Sequence, residues 1–147
     1  MKENKVIIRE MREEEYIDLV TLWEKSGLPY RERGRDSFNH IKRELKNLNE
    51  RFLIASLSDK MIGTILTTHD GRKGWINRLA VLPEYRHQGI AQSLVTEAEK
   101  WLGSQKILII ACLIENWNKY SFDFFTKMGY IKHDDITYFT KREHSGI

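Results

Sequence analysis

The chain has 147 residues, of which 41% are hydrophobic and 31% charged, and its formal net charge is +3. These values fit one soluble domain around one core, and the charge is too small and too evenly spread for a nucleic-acid binder. The single cysteine, Cys112, excludes an internal disulfide and makes a reducing, cytoplasmic setting the expectation. No signal-peptide pattern opens the chain and no apolar run reaches bilayer length, so no membrane partner is expected.

In chain order, Val6, Ile7 and Ile8 read as a first strand. Glu13, Glu14 and Glu15 suit a helix N-terminus, and Tyr16, Leu19, Val20 and Trp23 recur at helical spacing until Gly27 and Pro29. A charged loop carries Arg31, Arg33 and Arg35. A second helix follows, capped by Asp36 or Ser37, with the stripe Phe38, Ile41, Leu45 and Leu48. Residues 52–55 and 62–66 form a hairpin about Ser58, Asp59 and Lys60. A second turn, residues 69–74, leads into a strand over 75–82 that Pro83 ends. Ile90, Leu94, Ala98, Trp101 and Leu102 share one helix face, with Gly103 as the stop. The unbroken apolar run 107–114 predicts a central strand covered on both faces. A last helix carries Trp117, Ser121, Phe124, Phe125 and Met128 and stops at Gly129. A final strand is expected from Tyr130 to about Phe139. The order is β-α-α-β-β-β-α-β-α-β, in one α/β domain over 1–147 with residues 141–147 as a frayed tail.

Chemistry concentrates in residues 79–91. A strand ends, a short loop turns, and a helix begins near Gly89. The first amides of a helix lack intrahelical acceptors and point outward with the positive end of its dipole, which makes an anion site. Gly89 and Ala91 keep bulk away from the backbone, and Arg86 and His87 add donors. A pyrophosphate suits such a site. Taken alone, the segment is equally compatible with a helix start that binds nothing.

The run Arg86, His87, Gln88, Gly89, Ile90, Ala91 resembles the R/Q-x-x-G-x-G/A motif of the GNAT superfamily of N-acetyltransferases. Asn118, Ser121, Phe124, Phe125, Gly129 and Tyr130 are similar to that family's second signature, N-x-x-A-x-x-F-Y-x-x-x-G-F/Y. The element order agrees over nearly the whole chain, and the turn at Asp70, Gly71 and Gly74 resembles small stand-alone, YpeA-like members. The resemblance implies a mixed sheet whose fourth and fifth strands splay apart to admit acetyl-CoA as cosubstrate. It implies backbone contacts from Leu79, Ala80 and Val81 to the acetyl and pantetheine portion. Arg86, His87, Gln88, Gly89, Ile90 and Ala91 would hold the pyrophosphate, with Gln92 and Ser93 at its edge. Asn118 would meet the pantetheine or nucleotide portion, with Phe125 among the cofactor-binding positions. The acceptor, a small molecule, peptide N-terminus or lysine, would attack the thioester directly through a primary amine.

Two proton-transfer roles stay open. Many members place a carboxylate in the strand before the loop, but residues 75–82 contain no Asp or Glu, and Asn77 can only orient a water. Many place a Tyr where Phe125 stands; Tyr120 and Tyr138 are the candidate replacements. These departures leave a CoA-binding sensor or regulatory module with little turnover as the alternative. A nucleotide-binding domain is a weaker rival, because the chain lacks G-x-G-x-x-G and the lysine and hydroxyl residue of a phosphate-binding loop.

Cys112 reads as a buried structural thiol. The five histidines show no metal-ligand spacing, so no metal is expected. Tyr30, Arg31, Arg33 and Arg35 read as a solvated loop or as contacts to an anionic group on the acceptor. Trp117, Tyr120 and Phe124 are expected in the core or at a homodimer contact.

Overall fold

The computed structural model describes residues 5–146; the polar start, residues 1–4, and residue 147 of the expected tail lie outside them. Strand β1 (Val6–Glu10) leads through a single 3-10 turn, Glu13–Glu15, into helix α1 (Tyr16–Lys25). Glu15 fixes that entry by accepting the Arg12 N–H at 2.9 Å and a two-pronged contact from the Arg9 guanidinium at 2.9 and 2.8 Å. Helix α1 buries Leu19, Leu22 and Trp23.

Helix α2 (Phe38–Glu44) is shorter than its apolar stripe suggested. Ser37 caps it by accepting the His40 N–H at 3.2 Å. Ile41 is buried, but Leu45 is the C-cap and Leu48 is 90% exposed. The Asn47 side chain accepts the Asn49 N–H at 2.9 Å, and this local turn ends the helix before the stripe is complete.

Strands β2 (Glu50–Leu57) and β3 (Lys60–His69) form the hairpin. Its turn residues Ser58 and Asp59 have φ of +47° and +65°, the handedness that matches strand twist in a two-residue loop. Asp70 shapes the next turn by accepting from the Arg72 and Lys73 amides at 2.9 and 2.8 Å, ahead of β4 (Gly74–Val81). A Cβ on Gly74 would lie 2.8 Å from a Leu102 methyl, so glycine there lets helix α3 (Ile90–Ser104) sit close to the sheet. Strand β5 (Ile110–Cys112) and helix α4 (Lys119–Lys127) complete the structure.

The sheet order is β1-β2-β3-β4-β5, antiparallel except for the parallel β4–β5 pair. Phe52 stands opposite Leu66, and Leu66 opposite Asn77, so the three share a face; Phe52 packs against Trp23 of α1. Gly63 points the other way, toward Leu94 and Ile90 of α3. The α/β class and mixed sheet match the sequence reading.

Three expectations need correction. The run 107–114 is not a central strand: only Ile110–Cys112 pair, at the sheet edge, and Leu108 is 96% exposed with Ile109 and Leu113 also exposed. An unbroken apolar run records hydrophobicity, not how many faces are covered, and β5 has a neighbour strand on one side only. No strand forms over 130–139; residues 131–140 are exposed throughout. The last helix begins at Lys119, leaving Trp117 ahead of it and exposed, as is Tyr120; Phe125 is the buried residue of that helix.

Candidate active site at the end of strand β4

The β4–β5 ladder pairs Gly74, Trp75 and Ile76 with Ile110, Ala111 and Cys112, and stops there. From Asn77 onward no strand among the described residues lies beside the outer edge of β4. The two strands therefore part as the fold class requires, beside the strand end where ligands bind in such sheets. The register between β3 and β4 shifts between Thr64 and Leu66, and Arg78 in the bulge has φ of +54°. Gly74 directs its N–H to the carbonyl of Ile109, the residue just before β5. The extra residue inverts that alternation, so Leu79 and Val81, rather than Arg78 and Ala80, turn their backbone groups toward the open edge, while the Leu82 N–H returns to Ile62 of β3.

A 3-10 turn, Pro83–Tyr85, carries the chain to the helix start. His87 and Gly89 have φ of +63° and +80°, and Gly89 is the N-cap of α3. Among the described residues, no acceptor is found for the backbone N–H groups of 87–92. A Cβ at Gly89 would meet nothing within 4 Å, so the backbone there is open to approach. The row of free amides at a helix N-terminus fits a pyrophosphate.

Individual side chains refine the expectation. Arg86 is turned inward: Nε donates to the Val81 carbonyl at 3.1 Å and an Nη to the Ser26 carbonyl at 3.2 Å. It ties the loop to β4 and to the end of α1 instead of adding a free donor. Ser93 donates back to the Gly89 carbonyl at 3.0 Å, and Gln88 reaches the Glu84 carbonyl at 3.5 Å. Ala91 is half-buried, Gln92 exposed, and Ile90 buried in the core. Asn118 caps α4, its side-chain oxygen accepting the Ser121 N–H at 3.2 Å. Tyr120 places its ring 5.8 Å from that of His87, beside the loop. Phe125 is buried, edge-on to Phe124 and Tyr130. Tyr138 stands apart in the exposed C-terminal segment. His69 packs on Trp101 of α3, on the face opposite Asn77.

The face shared by Asn77 and Trp23 holds a polar cluster that sequence reading missed. The Arg78 guanidinium lies over the Trp23 ring at 4.8 Å, donates to the Pro29 carbonyl and pairs with Asp36. Asp36 is buried and also accepts the Arg31 N–H at 2.6 Å. Burial lowers the Arg78 pKa, outweighing the attraction of Asp36. Glu44 accepts from His40 Nε2 at 3.0 Å, yet burial pushes its pKa up to about 7, with repulsion from Glu50 and Asp36 adding and Arg78 opposing. On the other side of the His40 ring, Nδ1 faces an Arg43 Nη at 3.4 Å. Glu50, paired across the ladder with Thr68, is also raised by burial. The only sequence trace was the i,i+4 spacing of His40 and Glu44; that of Asp36 and Arg78, 42 residues apart, was nil.

The model of the acetyltransferase (GNAT) family matches residues 8–130. This chain belongs to the GNAT family. It is 31% identical over 136 residues to an acetyltransferase of Photorhabdus laumondii, covering 92% of this chain and 94% of that one. It is 29% identical over 137 residues to one of Sodalis glossinidius, with the same coverage. The crystal structure of PaiA N-acetyltransferase from Thermoplasma acidophilum in complex with coenzyme A superposes with a TM-score of 0.79 at 26% identity, covering 90% of this chain and 93% of that one. This GNAT chain is an acetyl-CoA-dependent N-acetyltransferase acting on an amine. Among the described residues no group of three His, Cys, Asp or Glu is placed to hold a metal, and no helix is long and apolar enough to cross a membrane.

Proposed function

We propose that the amides of residues 87–92 bind the pyrophosphate of acetyl-CoA, and that Leu79 and Val81 present backbone groups to its pantetheine arm along the open edge of β4. The observation that carries this reading is the row of amides without acceptors at the start of α3. The Val81 carbonyl already accepts from Arg86 and, at 3.4 Å, from the Ser26 hydroxyl, which leaves Leu79 as the main backbone partner. The thioester then lies near the β4 bulge, and the acceptor enters from the α1–α2 side.

A primary amine with a pKa near ~10.4 is almost wholly protonated at pH 7, so attack on the thioester needs a proton acceptor. Glu44 is the group we assign to that role, directly or through water. Its pKa of about 7 is suited to taking a proton at neutral pH. The thiolate leaving group, with an intrinsic pKa near ~8.5, departs without a dedicated acid, which accommodates Phe125.

The test is release of free thiol from acetyl-CoA across a panel of polyamines, amino acids and peptides, repeated with Glu44→Gln. Amine-dependent release that falls at least about 100-fold in Glu44→Gln, with CoA affinity kept, supports the assignment. An unaltered rate and pH profile in that variant removes Glu44 from the chemistry.

A further inference from the structure

Residues 29–37, between α1 and α2, form neither helix nor strand, yet the loop is closed on itself. The Gly34 and Asp36 amides both donate to the Arg31 carbonyl, at 2.9 and 3.1 Å, and the Asp36 carboxylate accepts the Arg31 N–H in return. One guanidinium holds both ends of it. Arg78 donates to the Pro29 carbonyl at the start of the loop and to the Asp36 carboxylate near its finish. The same guanidinium lies over the buried Trp23 ring, against which the Tyr30 ring also tilts at 6.2 Å. The Tyr16 hydroxyl adds a tie from α1, donating to the Asp36 carbonyl at 2.7 Å.

Arg78 is also the bulge residue of β4, with φ of +54°, and its backbone turns Leu79 toward the open edge. The residue therefore faces two ways, with its backbone at the cofactor edge and its side chain on the loop of the acceptor side. A buried ion pair is a poor source of stability, because desolvation offsets the attraction. What the planar fork does supply is a fixed geometry, since two oxygens and an indole face have to be met at once. We propose that Arg78 is a positioning residue that acts through Pro29 and Asp36, holding the 29–37 loop against the β4 bulge and so setting where the acceptor amine meets the thioester. This deepens the reading above and rests on the acceptor entering from the α1–α2 side. A misplacement of about 1 Å is enough to lower a rate on the order of 100-fold.

The test uses the full chain and the double variant Arg78→Met with Asp36→Asn, in which both charges leave together and the fold survives better than in either single change. Wild type and variant are compared at equal folded fraction. Their CoA affinities should agree within about threefold. Trypsin should cut after the exposed Arg31 and Arg33 at least about tenfold faster in the variant, because cleavage needs the loop to open locally. Thiol release from acetyl-CoA with the polyamines, amino acids and peptides of the panel should show the acceptor kcat/KM lowered at least about 30-fold, with the acetyl-CoA KM kept. Arg78→Lys should share the acceptor loss, because an ammonium lacks the planar fork. A role in stability alone predicts that kcat/KM follows the folded fraction and is restored with it. Wild-type resistance to trypsin in the folded double variant overturns the clasp itself. A freed loop with wild-type acceptor kcat/KM overturns entry of the acceptor on this side, and the proposal with it.

Discussion

Arg86 reaches back over five residues to place Nε 3.1 Å from the Val81 carbonyl, and a second nitrogen 3.2 Å from the Ser26 carbonyl at the end of α1. One guanidinium thereby joins the loop before α3 to the strand before it and to a helix 60 residues away. Arg86→Ala should weaken CoA binding about tenfold by loosening the loop, the effect of losing about 1.4 kcal/mol of positioning. Arg86→Lys should not restore it, because an ammonium cannot address two carbonyls with a planar fork. Calorimetric titration with CoA reads both.

The Arg78–Asp36 pair is buried enough that its members depend on each other; their side chains are 15% and 5% exposed. Asp36→Asn or Arg78→Met alone should destabilise the fold by about 3 kcal/mol, since each leaves the other charge uncompensated. The double variant should recover at least half of that loss, because the desolvation penalty goes with both charges. Denaturant unfolding of the three variants measures the coupling.

Glu44 makes stability depend on pH. Its pKa in the fold, about 7, lies above the ordinary 4.5, so the folded state holds the proton more tightly than the unfolded chain. The associated stability is fully present below pH 4.5 and is lost as pH rises through 7. Glu44→Gln should therefore match the wild type near pH 4.5 and exceed its stability at pH 8, by at most about 3 kcal/mol. Unfolding at the two pH values checks the sign.

The loop was legible in the sequence because its signals are local: Pro83 ends a strand, Gly89 permits φ of +80°, and Ile90, Leu94, Ala98 and Leu102 mark the helix face. The hairpin at Ser58 and Asp59 was legible for the same reason. Covering was not. Leu108, Ile109 and Leu113 look like core residues in one dimension, and only the sheet order shows that no strand among the described residues lies beyond β5. The Arg78–Asp36 pair was invisible because it depends on a bulge that redirects β4 and on a loop 42 residues earlier. The inward turn of Arg86 was equally hidden: the motif gave its position, not the direction of its side chain.

Cys112 should be unreactive. Burial pushes its thiol up to about 11, so about one molecule in a thousand is thiolate at pH 8. Its labelling by an aromatic disulfide reagent should run at least about 100-fold slower than that of free cysteine, and should speed up in denaturant.

The pyrophosphate site is tested most directly by titrating CoA into the wild type and into Gly89→Glu, with Gly89→Ala as the control for backbone strain at a positive φ. The glutamate would set its bulk and negative charge against the open amides of 87–92. At equal folded fraction, Gly89→Glu should lose at least about 100-fold in CoA affinity and Gly89→Ala much less. Wild-type affinity in a folded Gly89→Glu would place the pyrophosphate elsewhere.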